Sequence, residues 1–130
     1  MRLERIAKNF SDKIHFVCVY IKEAHPIDGS QAPSNLDDEV LFAQPTTTEA
    51  RAEVAAACML RFNFSFPMVL DNMKNEAEGK YFAMPERLYV IDSLGVIQWK
   101  CGIGPHFFDP NGFEKSIKDQ ITKLHPDLGE

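Results

Sequence analysis

Apolar residues at Leu3, Ile6, Ala7 and Phe10 recur at i, i+3, i+4 and i+7, so the chain is predicted to open inside an amphipathic helix. No capping residue precedes that helix, and Ser11-Asp12-Lys13 ends it. Ile14 to Ile21 reads as a strand. Its run Phe16-Val17-Cys18-Val19-Tyr20-Ile21 is too apolar for one wet face and suits a parallel strand covered by helices on both sides. The run breaks at Pro26 and Gly29, with Glu23, His25 and Asp28 gathered at its carboxyl end.

From Lys22 to Pro45 the chain has loop character, and a connection of that length inside a compact domain is more often functional or mobile than idle. Thr46 and Glu49 have capping-box spacing. A helix is predicted from there to about Phe62, with Val54, Ala57, Cys58 and Phe62 facing inward. Pro67 to Asp71 reads as a short strand and Asn72 to about Phe82 as a short helix. Arg87 to Asp92, the turn Ser93-Leu94-Gly95, and Val96 to Lys100 predict a β-hairpin. Cys101 to Pro105 is a turn. Asp109-Pro110 starts a last helix, with Phe113, Ile117, Ile121 and Leu124 on its inner face, and His125-Pro126 ends it. The order α-β-α-β-α-β-β-α places the chain in the α/β class, with a hairpin at one edge of a mixed sheet.

A chain of 130 residues is expected to form one domain spanning 1–130. The net charge of -5, with no basic block, argues against a nucleic-acid partner. No segment is apolar for long enough to span a membrane, so no membrane partner is expected. The first residues lack an apolar signal-peptide core, and the cytoplasm is the expected location. Cys18, Cys58 and Cys101 are widely separated, with no Cys-x-x-Cys, which fits a reducing compartment.

A carboxylate and an imidazole at a strand's carboxyl end suit proton transfer near neutral pH, and open α/β sheets build their sites there. Glu23 and His25 also fit an ordinary polar loop. Arg87 opens an otherwise apolar strand, where a guanidinium suits either a bidentate hold on an anion or an ion pair with Glu86 or Asp92. The histidines and cysteines lack zinc-site spacing, so no metal is expected. Gly102-Ile103-Gly104-Pro105 is not a dinucleotide fingerprint, since no strand–GxGxxG–helix unit surrounds it.

Three motifs in register resemble the iodothyronine deiodinases. They are Val19-Tyr20-Ile21-Lys22-Glu23-Ala24-His25-Pro26-Ile27-Asp28-Gly29, Pro85-Glu86-Arg87-Leu88-Tyr89-Val90-Ile91-Asp92, and Gly102-x-Gly104-Pro105 before the last helix. The resemblance runs from Met1 nearly to the C-terminus. It implies a thioredoxin-like mixed sheet flanked by helices and a selenoprotein oxidoreductase that removes iodide reductively from iodothyronines. It also makes Glu23 and His25 the catalytic proton-handling pair and Arg87 a substrate-binding residue. No bound cofactor is implied; an external thiol resets the enzyme.

The chain departs from the family in three places. Pro45 follows Gln44 where the vertebrate enzymes carry a histidine. Cys101 occupies the first position of the family's Gly-Gly pair. The family's nucleophile, usually selenocysteine, lies on a strand–turn–helix unit before the helix that opens this chain, and that unit's strand is the central one of the sheet. The chain therefore reads as N-terminally truncated, inactive as written and missing its first, active-site strand. An open reading frame started after a UGA codon explains such a beginning. Without that strand, the segments at Phe16–Ile21 and Arg87–Asp92 are expected either to leave a gap or to pair directly. Among the cysteines, Cys101, beside Lys100 and before Gly102, is expected to be the most exposed and the one candidate for a redox role. Cys18 and Cys58 read as packing.

The resulting expectation is a deiodinase-like oxidoreductase, partnered by a small-molecule substrate and a thiol donor. The alternative is a non-catalytic interaction or small-molecule-binding module, which borrows a strand from a partner or from a second copy as a homodimer.

Overall fold

The computed structural model describes residues 2–22 and 43–124. The elements run α1 (Arg2–Phe10), β1 (Cys18–Tyr20), α2 (Thr48–Phe62), β2 (Met68–Leu70), α3 (Glu76–Tyr81), β3 (Tyr89–Ile91), β4 (Ile97–Lys100) and α4 (Pro110–Leu124). This is the mixed α/β order that the hydrophobic pattern predicts. Glu23, His25, Asp28 and His125 lie outside the described residues.

Two compact units divide the chain, one built on Met1–Phe16 and Glu86–Glu130, the other on Val17–Pro85. The first gathers its core from α1, β3 and α4. Ile6, Val90, Phe113, Ile117 and Ile121 are buried there, as their helical and strand spacing predicts. Phe113 meets Phe16 edge-on at 6.3 Å and Trp99 at 6.1 Å between ring centroids, a geometry that adds to simple burial. Asp109 Oδ1 accepts the Gly112 N–H at 2.9 Å, so the Asp-Pro start of α4 is capped by its own aspartate. Leu124, expected inside, is 60% exposed.

β3 and β4 pair antiparallel with Tyr89 opposite Lys100 and Val90 opposite Trp99. Gly95, at φ 82°, takes the left-handed position that the turn requires. Asp92 holds the turn: its carboxylate accepts the N–H groups of Leu94 and Val96 at 2.9 Å each, and Gln98 Nε2 at 2.8 Å. The Val96 N–H is the largest influence on that carboxyl and lowers its pKa; weaker desolvation opposes it, and Gln98 and Leu94 add to the lowering. A depressed folded pKa contributes stability above the unfolded carboxylate value near 4, and that contribution is lost as pH falls through the folded value. Between about pH 5 and about pH 2.5, the thermal midpoint is therefore expected to fall less in Asp92→Asn than in the parent chain. Parallel curves would mean that the turn does not feel this carboxylate.

In the second unit, β1 and β2 pair in parallel, Cys18 opposite Met68, Val19 opposite Val69 and Tyr20 opposite Leu70, and α2 packs on β2. β1 is shorter than the predicted Ile14 to Ile21, and the expectation of cover on both faces is corrected. Val17, Val19 and Val69 are 58%, 43% and 48% exposed, because the twofold alternation turns them away from the half-buried face of Cys18, Tyr20, Met68 and Leu70. Among the described residues the strands form two two-stranded sheets, β1–β2 and β3–β4, rather than one.

α2 begins one residue later than the predicted cap. Thr47, extended at φ -134° and ψ 160°, is the N-cap, and its Oγ1 accepts the Ala50 N–H at 3.0 Å. Glu49 then sits one place too early for a capping box and contributes only its charge to the first turn. The inward seam is Arg51, Val54, Ala55 and Cys58. Phe62, expected inward, is 43% exposed and stacks on Phe64 at 6.0 Å instead.

Candidate functional site

Arg87 lies two residues before Tyr89 on the chain that leads into Val90, which anchors β3 in the core. That spacing puts Arg87 and Tyr89 on one side of the chain, and the guanidinium carbon sits 5.5 Å from the Tyr89 ring centroid. Arg87 Nε donates to the Cys101 carbonyl at 2.8 Å. Cys101 N–H donates to the Leu88 carbonyl at 3.2 Å, and Leu88 N–H donates to Cys101 Sγ at 3.3 Å. The structure thus brings together Arg87 and Cys101, two residues singled out separately from the sequence.

Glu86 and Gly104 continue this zipper, with Gly104 N–H donating to the Glu86 carbonyl at 3.0 Å. A Cβ on Gly104 would lie 2.5 Å from Glu86 Cγ, and one on Gly102 would lie 2.5 Å from Phe107 Cβ. Gly102 is therefore required by close approach, whereas the exposed Glu86 side chain could move aside for a Cβ at Gly104. The Pro-Glu-Arg-Leu-Tyr and Gly-x-Gly-Pro motifs are two sides of one structure. The side chain of Arg87 is fixed at one edge and half-buried, which is a geometry suited to holding a carboxylate or phenolate.

Cys101 is 5% exposed, which corrects the expectation that it is the most exposed thiol. Its neighbours Lys100 and Gly102 suggest an open turn, yet Cys101 extends the β4 ladder and its sulfur is taken up by a backbone amide. Cys18 and Cys58 are half-buried. Burial pushes the Cys18 thiol above its ordinary pKa, so its nucleophilic thiolate is disfavoured.

Sequence reasoning missed a second cluster, at the carboxyl end of β2. Arg51 is 2% exposed. Its Nη1 donates to the carbonyls of Asp71 and Asn72 at 3.1 and 2.8 Å, and its Nη2 to Asn75 Oδ1 at 2.9 Å. Asp71, 5% exposed, accepts the N–H groups of Asn72 and Ala77 on Oδ1 at 2.9 Å each and that of Glu78 on Oδ2 at 3.0 Å. It thereby starts α3, which is shorter than predicted. Asp71 N–H also donates to the Tyr20 carbonyl at 2.8 Å, which ties this cluster to the end of β1, two residues before Lys22. Arg51 follows the spacing 51, 54, 55, 58 of the buried seam, the one signal that marks it in the sequence.

Among the described residues no three His, Cys, Asp or Glu side chains are grouped to hold a metal ion. No helix among them is long and apolar enough to cross a membrane.

The family model described as iodothyronine deiodinase matches residues 1–120. The human thyroxine 5-deiodinase is 32% identical over 123 residues, which is 94% of this chain and 38% of that protein. The rat thyroxine 5-deiodinase has the same identity and coverage. The type I iodothyronine deiodinase of Xenopus laevis is 32% identical over 106 residues, 82% of this chain and 40% of that protein. The chain thus spans about two fifths of the length of these relatives.

Proposed function

The chain belongs to the iodothyronine deiodinase family, and from that premise we propose that it is the substrate-holding and proton-handling part of a deiodinase-like oxidoreductase of thioredoxin-like fold. The observation that carries this reading is the fixed Arg87 guanidinium at the joined Pro85–Asp92 and Cys101–Pro105 motifs. Thyroxine, the substrate in the relatives' name, carries a carboxylate and an ionisable phenol, and Arg87 would orient one of them. Glu23 and His25 would supply and accept protons.

The environments of Cys18, Cys58 and Cys101 favour a nucleophile from outside these 130 residues, a selenol or a thiol on a further strand. In the reaction the aryl C–I bond breaks, a C–H bond forms, and iodine passes to the nucleophile, which is thereby oxidised. Two external thiols then become a disulfide, releasing iodide and a proton and restoring the nucleophile. The exposed valines of β1 and β2 also suit the interaction-module reading, in which a strand comes from a partner or a second copy.

The 130-residue chain is expected to bind thyroxine, with affinity falling at least about tenfold in Arg87→Gln. It is expected to release no iodide in the presence of dithiothreitol. Iodide release that disappears on replacing Cys18, Cys58 or Cys101 would overturn the assignment of the nucleophile. The codons upstream of Met1 separate the two readings. An in-frame TGA or cysteine codon after a strand-like segment supports the oxidoreductase, and a true stop with no such segment supports the interaction module.

A further inference from the structure

We propose that Cys101 is a positioning residue for Arg87: its sulfur takes up the Leu88 amide and so leaves the Cys101 carbonyl to hold the guanidinium. The role rests on the reading of Arg87 as the anion-holding group.

The ladder register carries the inference. Tyr89 stands opposite Lys100 and Val90 opposite Trp99, so the next pair outward is Leu88 with Cys101. In a hydrogen-bonded antiparallel pair the two residues exchange both N–H···O bonds. One of these is present, from Cys101 N–H to the Leu88 carbonyl at 3.2 Å. The return bond from Leu88 N–H goes to Cys101 Sγ at 3.3 Å rather than to the Cys101 carbonyl. That carbonyl instead accepts Arg87 Nε at 2.8 Å, a length typical of a charge-assisted bond.

A sulfur is a weak acceptor and would lose the amide to water in the open. Here Cys101 is 5% exposed, so water does not compete. The chain beyond Cys101 is also fixed, since Gly102 lies against Phe107, and the carbonyl cannot swing away. An alanine or glycine at position 101 offers the Leu88 amide no side-chain acceptor. The amide would then return to the carbonyl and compete with Arg87 for it.

The test is the Arg87 Nε–H resonance and its hydrogen exchange in the 15N-labelled chain, alongside thyroxine titrations. In Cys101→Ala and Cys101→Gly, the Nε–H is expected to exchange about tenfold faster and thyroxine affinity to fall about five- to tenfold. Cys101→Ser, whose hydroxyl can accept the same amide, is expected to stay within about twofold of the parent on both readouts. Unchanged Nε–H exchange in the alanine variant, or a serine variant that behaves like alanine, would overturn the proposal. If the glycine variant does not fold, the alanine and serine pair decides the matter. Arg87→Gln separates the two claims. Unaltered thyroxine binding in that variant refutes the anion-holding reading, while Nε–H exchange still decides whether Cys101 positions Arg87.

Discussion

Arg51→Met is expected to destabilise the chain by about 3 kcal/mol, read as a shift of the urea midpoint at constant m. Two effects oppose each other. Methionine removes a buried cation, and Arg51 Nε is itself buried with no hydrogen-bond partner among the described residues, so part of the desolvation cost of the guanidinium is relieved. Against that, the buried Asp71 carbonyl and the partly buried Asn72 carbonyl and Asn75 Oδ1 lose their donor, and an unsatisfied buried acceptor costs about 1–3 kcal/mol. The loss wins because the partners stay in place while only one side of the network goes. Arg51→Lys keeps a charge but offers a single ammonium where a fork is needed, and should fall between. A second readout localises the effect: amide protection should drop at Ala77 and Glu78, whose N–H groups are held by Asp71. A midpoint unchanged within about 0.5 kcal/mol would show that this turn is held by something else.

How much of this was legible in the sequence follows the physics of each element. The α4 inner face and the β3–β4 hairpin were readable because a single repeating pattern, 3.6 or 2, coincides with their burial. The Asp109 cap and the Gly95 turn were readable because only local chemistry is involved. Arg51 was not, since a cation in an alanine-rich helix ordinarily marks a wet face, and its partners lie 20 to 24 residues away in sequence. Cys101 was misjudged for a related reason. Lys100 and Gly102 suggest an open turn, and nothing near them in sequence shows that Leu88 stands opposite. The joining of the Arg87 and Gly104 motifs is likewise a ladder property, invisible to spacing. Glu23 and His25 were readable as a motif, but lie outside the described residues.

Ile117→Ala is expected to cost about 3–4 kcal/mol. Ile117 is 1% exposed and sits in the core with Ile6, Val90, Phe113 and Ile121. Its truncation removes three carbons from apolar surroundings and leaves a cavity, because helix α4 is held on both sides of the site by Phe113 and Ile121 and cannot collapse into it. Leu124→Ala on the same helix, at 60% exposure, should change the urea midpoint by less than about 0.5 kcal/mol. The contrast tests packing rather than helix propensity, since both changes put alanine, the best helix former, into α4. The core also reaches the candidate site. Val90 packs with Ile117 and lies on β3, beside Tyr89 and just after Arg87, so loosening that strand should speed exchange of the Arg87 Nε–H without touching Cys101. Full stability in Ile117→Ala would mean that α1, β3 and α4 do not share one core, and the placement of Arg87 would then need another support.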